Sequence, residues 1–143
     1  MENINENVSL KWDDCYLLGN EKVDNQHKEL FNLVNSLVRS CDSGEGTDKL
    51  KETLLFMINY TVLHFDDEEA LQIECKYPDY EKHKKMHDDF KVVVLGLVDR
   101  FSNTGSSAEL SSDVRKIIVK WLVNHIMTED KKIGDFLRGH RRL

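Results

Sequence analysis

His83-Lys84-Lys85-Met86-His87-Asp88-Asp89-Phe90, carried on by Val94, Leu97 and Phe101, places seam residues at steps of four, three, four, three and four. Such steps align side chains along one stripe of an α-helix, because about 3.6 residues complete a turn. Two of these residues are imidazoles, and they extend the apolar seam instead of facing away from it. The same rhythm recurs on either side. Val23, His27, Leu30, Val34 and Leu37 form one earlier seam, and Leu50, Leu54, Met57, Thr61, His64, Glu68 and Leu71 form another. Val114, Ile118, Trp121 and His125 form the last.

The interruptions agree with four helices. Residues 41–47, Tyr77-Pro78-Asp79 and residues 102–107 carry the turn-forming residues between seams, and Pro78 suits a helix start. Helices of roughly twenty residues would each be about 30 Å long. Short links between them favour antiparallel neighbours, so the expected fold is all-α, an up-down-up-down antiparallel four-helix bundle. One domain is expected over 1–143, with an N-terminal arm (1–20), the bundle (21–130) and a C-terminal segment (131–143) holding a short helix from Lys131 to Leu137. Trp12, Tyr16, Leu17 and Leu18 lack helical spacing but are costly to expose, so the arm should lie across the bundle. Gly96, inside the third helix, is about 1 kcal/mol worse than alanine there and would suit a close helix–helix approach.

The 143 residues are 40% hydrophobic and 32% charged, ordinary values for a soluble globular chain. A net charge of −6 argues against nucleic acid or an anionic membrane as partner. No apolar run is long enough to span a bilayer. Met1-Glu2-Asn3-Ile4-Asn5-Glu6-Asn7 lacks the features of a secretory signal, so a cytoplasmic location is expected. Cys15, Cys41 and Cys75 are odd in number and lack C-x-x-C spacing, which points to reduced, partly or wholly buried thiols.

The chemistry lies in where the histidines fall. His27, His64 with Glu68, His83 with His87, and His125 followed by Asp130 each sit on a different candidate helix. The His83–His87 pair is separated by about 400° of helical turn, so both rings project from one face and can chelate one ion. Burying five imidazoles and two carboxylates in a bundle core without compensation would cost several kcal/mol per unpaired charge. Two multivalent cations would offset that cost. Imidazoles with few carboxylates suit iron, zinc or copper better than calcium or magnesium. On ligand geometry alone, a dinuclear zinc or manganese hydrolase that activates water remains open.

Asp24-Asn25-Gln26-His27-Lys28-Glu29-Leu30-Phe31, His64-Phe65-Asp66-Asp67-Glu68-Glu69, His83-Lys84-Lys85-Met86-His87 and Trp121-Leu122-Val123-Asn124-His125-Ile126 resemble the motifs of hemerythrins, in family order and over nearly the whole chain. Trp12 and the Leu18-Gly19 leading into Asp24 are similar to the arm of the bacterial members of that family. The resemblance implies two iron ions in one centre. His83, His87 and His125 would bind one iron, and His27 and His64 the other, leaving it one position short. Glu68 and Asp130 would bridge both, together with an oxide or hydroxide derived from solvent. Leu30, Phe65, Trp121, Leu122 and Ile126 would wall the pocket for the bound gas.

Asp130 is the one assignment that strains simple geometry. It lies five residues after His125, about 140° round an ideal helix, whereas Glu129 is better aligned. The resemblance favours Asp130 and so requires a local widening of the helix or its end there. The function implied is reversible dioxygen binding without catalytic turnover, for storage, delivery or scavenging, with any oxygen-using partner enzyme unspecified. The alternatives are an oxygen or redox sensor module and a di-iron peroxide or nitric oxide reductase.

Overall fold

The computed structural model describes residues 11–42, 47–104 and 108–141. The first half of the expected arm, residues 43–46 and 105–107 of the expected connections, and the last two residues lie outside them. So do the side chains of Cys41 and His140.

Three long helices, α1 (Glu21–Asp42), α2 (Thr47–Glu74) and α3 (Tyr80–Thr104), are followed by a helical run from residue 108 to 141. That run comprises α4 (Ala108–Val114), a π-helical turn (Arg115–Val119), α5 (Lys120–His125), a second π-helical turn (Ile126–Asp130) and α6 (Lys131–Arg141). The backbone stays in the right-handed helical region at each junction, at Val114, Val119, Lys120, His125, Ile126 and Lys131. The expected C-terminal helix is thus a continuation of the fourth, begun at Lys131 and extended to Arg141. No strand occurs among the described residues. Neighbouring helices in sequence are neighbours in space, and α1 closes the ring against the first π turn. The chain is a four-helix bundle with a C-terminal extension, as the spacing of its seams implies.

The seams form the core. Leu30, Val34, Leu37, Leu50, Leu54, Met57, Phe90, Val94, Leu97, Phe101, Val114 and Ile118 are all buried in one cluster. One seam position shifts at the end of α2, where Leu71 is half-buried and its neighbour Gln72 is fully buried. A repeat of four and three averages 3.5 residues, and an α-helix of 3.6 drifts by about 20° per heptad against it. Over the length of α2 that drift carries Leu71 off the buried stripe and brings Gln72 onto it.

The helix ends follow from local chemistry. Asn20 Oδ1 accepts a hydrogen bond from the Val23 amide at 3.0 Å, capping α1. The Asp24 carboxylate accepts from the amides of Leu18 at 2.7 Å and Gly19 at 3.1 Å, tying the arm to the first turn. Gly19 has φ 99°, a value an L side chain resists. The α2 helix unwinds through Lys76, which takes φ 59°, and the Tyr77 amide donates back to the Gln72 carbonyl at 2.9 Å. Pro78 sits in the following turn, ahead of the helix start at Tyr80.

The arm covers the bundle where it is described. Trp12 and Tyr16 pack edge-on to each other and against Phe31, with Trp12 5.4 Å from both rings. Leu18 is fully buried with Val23, Tyr77 and Ile133 in a second cluster beneath α6. The thiols depart in part from expectation: Cys15 is exposed and Cys75 is partly buried. Cys15 belongs to a short 3-10 turn (Asp14–Tyr16) that turns Tyr16 toward Phe31, and neighbouring side chains on such a turn point in different directions. No helix among the described residues is long and apolar enough to cross a membrane.

The glycines of the third and last helices play opposite parts. A Cβ on Gly96 would meet nothing within 4 Å among the described residues, so the close helix approach that a glycine permits is not made there. A Cβ on Gly134 would lie 3.1 Å from Leu18 Cα, which makes Gly134 the point where α6 rests on the arm. Gly96→Ala should therefore raise unfolding free energy by about 1 kcal/mol. Gly134→Ala should lower it, because overpacking of about 1–3 kcal/mol against backbone outweighs the same propensity gain. Urea denaturation of both variants checks the pair.

Candidate metal centre

His27, His64, Glu68, His83, His87, His125 and Asp130 arrive from four helical segments, and all are buried. They converge on one place as two groups with shared members. Glu68, His83, His87, His125 and Asp130 form one group, and His27, His64, Glu68 and Asp130 form the other. Within each group the potential donor atoms lie within 4.8 Å of one another.

The two carboxylates divide their oxygens between the groups. Glu68 Oε2 lies 3.2 Å from His27 Nε2 and 3.3 Å from His64 Nε2. Its other oxygen, Oε1, lies 3.0 Å from His83 Nε2 and 3.3 Å from His87 Nε2. Asp130 behaves alike: Oδ2 faces His27 at 3.0 Å, while Oδ1 faces His83 at 3.0 Å and His125 at 3.1 Å. Each carboxylate therefore spans the two groups with one oxygen apiece.

The donor set fits cations. Gln26 Nε2 donates to the Asp67 carboxylate at 2.6 Å, which turns the Gln26 carbonyl oxygen toward His64 Nδ1 at 2.9 Å. A carbonyl only accepts, so the proton of His64 is on Nδ1 and its Nε2 presents a lone pair to the centre. His87 Nδ1 likewise donates to Glu69 Oε2 at 2.8 Å, leaving its Nε2 free to bind. The Nε2 atom of His125 stands 3.0 Å from that of His83 and 3.2 Å from that of His87. Nitrogens about 2.1 Å from a common ion and at right angles to each other would sit about 3.0 Å apart. Lone pairs so close repel unless a proton or a cation lies among them, and a multivalent cation would serve all three nitrogens at once.

Asp130 reaches the centre because the helix widens. The π-helical turn Ile126–Asp130 closes over five residues instead of four, which brings Asp130 onto the face that carries His125. Glu129 stays outside. It is partly exposed and pairs with Lys132 Nζ at 3.3 Å.

Aromatic rings back the ligand candidates. Phe65 stacks on His87 with centroids 3.7 Å apart, and Trp121 stacks on His125 at 4.4 Å. Phe90 in turn stacks on Trp121 at 3.9 Å. Leu30, Phe65, Leu122 and Ile126 are buried in the same cluster, with half-buried Trp121 packed against it. Beyond Phe65, an apolar recess lined by Met57, Ile58, Val62 and Val94 leaves about 20 Å³, room for one small molecule.

Burial and pairing pull the titrating groups in opposite directions. Burial works to lower the pKa of His27, but hydrogen bonds and charge from Asp130 and Glu68 prevail and raise it to about 10. His83 is raised to about 9 by the same partners against the same burial. Burial lowers His64, outweighing the pull of Glu68. Burial would raise Glu68, yet the surrounding His64, His27 and His83 hold it well below the usual carboxylate range. Asp130 is lowered too, His125 and His27 overcoming burial and the repulsion of Glu68.

Gln26, Glu69 and Gln72 were not singled out by the sequence. Gln26 and Glu69 each adjoin a seam residue without lying on the stripe, so periodicity gives no signal for them. Gln72 is fully buried, and neither amide atom finds a hydrogen-bond partner among the described residues.

The chain is similar to known proteins over most of its length. The profile of the Hemerythrin HHE cation binding domain matches residues 18–137. The chain belongs to the hemerythrin family. A "Hemerythrin-like protein" of Naegleria gruberi is 36% identical over 121 residues, covering 85% of this chain and 87% of its own length. A "Bacteriohemerythrin" of Methylococcus capsulatus is 35% identical over 114 residues, covering 80% of this chain and 85% of its own. The crystal structure of a wild-type hemerythrin superposes with a TM-score of 0.76 at 29% identity, covering 90% of this chain and 97% of that one. The buried hemerythrin cluster is accordingly a site able to hold metal cations.

Three outcomes check the geometry. Asp130→Asn should lower bound metal per chain, whereas Glu129→Gln should leave it unchanged, as read by elemental analysis after iron loading. The raised pKa values of His27 and His83 stabilise the metal-free fold fully below about pH 6.5, the unfolded value. That contribution should decline as pH rises and be gone above about 10. The metal-free protein should then melt at a lower temperature at pH 10 than at pH 7, and iron(II) uptake at pH 8 should release protons measurable by calorimetry in two buffers.

Proposed function

We propose that the protein binds dioxygen reversibly at a di-iron centre held by the seven converging side chains. The observation that carries this reading is the inequality of the two donor groups. Glu68, His83, His87, His125 and Asp130 offer five residues to one ion, and His27, His64, Glu68 and Asp130 offer four to the other. An ion of octahedral preference held by the smaller group keeps a position for an exogenous ligand. Two ferrous ions would supply the two electrons that bound dioxygen takes up and would recover them on release.

The protein's own residues then have three tasks. Glu68 and Asp130, each with one oxygen toward either group, would hold the ions and neutralise part of their charge. The Gln26–His64 and Glu69–His87 hydrogen bonds fix ring orientation and leave Nε2 free. Leu30, Phe65, Trp121, Leu122 and Ile126 shut out water and free protons, which would otherwise promote irreversible oxidation. Neutral imidazole outnumbers carboxylate here, a balance that suits returning the ligand intact better than activating it.

A stoichiometric binding role in storage, delivery or scavenging follows from this chemistry. The comparison with a bacteriohemerythrin supports it. The test is absorption spectroscopy on iron-loaded, reduced protein. A charge-transfer band should grow with oxygen and vanish when oxygen is removed, at two irons per chain. Turnover of peroxide or nitric oxide with an electron donor, without such a band, would instead establish the reductase. Leu122→Ala should shorten the lifetime of the oxygenated form several-fold, followed by decay of the same band. An unchanged lifetime would remove Leu122 from the pocket wall.

A further inference from the structure

His64 and His87 occupy different donor groups, and their Nδ1 protons meet acceptors of different charge. His87 Nδ1 donates to a carboxylate, Glu69 Oε2, at 2.8 Å. His64 Nδ1 donates to a neutral carbonyl, Gln26 Oε1, at 2.9 Å. Both acceptor residues are 8% exposed, so solvent screens neither contact strongly. The neutral acceptor is also held by a polar chain. Gln26 Nε2 donates to Asp67 Oδ2 at 2.6 Å, and the Lys22 ammonium lies 3.4 Å from Asp67 Oδ1. This chain fixes the amide so that it cannot turn its nitrogen to His64.

A carboxylate accepting from Nδ1–H pushes electron density through the ring to Nε2 and makes the imidazole a stronger donor. A neutral amide does this less. The two groups therefore differ in donor strength as well as in donor number, and they differ in the same sense. The larger group has the charged partner.

Resting on the di-iron reading above, we propose that Glu69 is a positioning residue that sets the order of oxidation. With Glu69 behind His87, the iron of the His83, His87 and His125 group is oxidised first, and the iron of the His27 and His64 group stays ferrous longer. Each step is a one-electron loss, Fe(II) to Fe(III), with the electron passing to an outer-sphere acceptor such as ferricyanide. The arrangement keeps the more readily reduced ion at the group with fewer donors, where an exogenous ligand would bind.

The experiment is a ferricyanide and dithionite titration of the iron-loaded full-length protein, followed by absorption, with iron per chain measured in every sample. Glu69→Gln should weaken the preference for Fe(III) by about 10- to 100-fold, the usual effect of losing such a partner. That range corresponds to an upward shift of about 60–120 mV in the first midpoint, at about 59 mV per tenfold for one electron. Gln26→Glu should lower the second midpoint. In the half-oxidised wild type, electron–nuclear double resonance should find three histidine nitrogens coupled to the ferric ion. The double variant Gln26→Glu with Glu69→Gln should reduce that number to two. Unchanged midpoints in Glu69→Gln and Gln26→Glu at full iron occupancy would overturn the proposal, as would two coupled nitrogens in the wild type. Wild-type protein that takes up no iron would overturn the di-iron reading itself. Loss of iron without a shift of midpoint in the remaining centres would assign Glu69 a structural role only.

Discussion

Two carboxylates with no exposure to solvent stand among five buried imidazoles, and the rest of the molecule is arranged around that fact. Isolated carboxylates at such depth would be several kcal/mol out of balance. Their oxygens are instead shared out, one to each side, among ring nitrogens at 3.0–3.3 Å. The same nitrogens stand close to one another, and a proton or a cation among them relieves the crowding. An α-helical bundle is well suited to this demand, because each helix contributes ligand candidates without interrupting its own backbone hydrogen bonds.

The apolar seams and the polar centre are one construction. His27, His64, Glu68, His83, His87 and His125 occupy positions that leucine or phenylalanine fill elsewhere on the same stripes. The helices therefore pack by ordinary side-chain interdigitation, and the centre is brought together as a by-product of that packing. Phe65 and Trp121 extend the economy: each belongs to the apolar core and lies flat against a histidine, restricting the ring that a ligand bond would orient.

Much of this was legible in the chain because helical spacing is a strong constraint. A residue four or three positions along a seam has little choice but to face inward, and the first six site residues obey that rule. Asp130 does not, since an ideal helix would place it about 140° from His125. Family resemblance chose it over Glu129, and the π-helical turn supplies the physical reason, which no local propensity announces. Gln72 was missed because a seam of 3.5 residues drifts against a helix of 3.6 until the next residue takes the buried place. Gln26 and Glu69 were missed because a hydrogen bond to the back of a ring requires no periodicity. Cys15, expected partly or wholly buried, is exposed; the irregular arm gives no stripe from which burial could be read.

The widened turn at Ile126–Asp130 also reaches beyond the centre. One extra residue in a single helical loop rolls everything downstream by about 100°. In the structure this roll leaves Ile133 fully buried over Leu18 and sets Gly134 against the arm's backbone. Chain length between His125 and Ile133 is consequently a shared gauge for the interior charge balance and for the lid formed by the last helix. Shedding a single residue there would spoil both together, so the length of this segment is constrained as tightly as the identities of Asp130 and Ile133 within it.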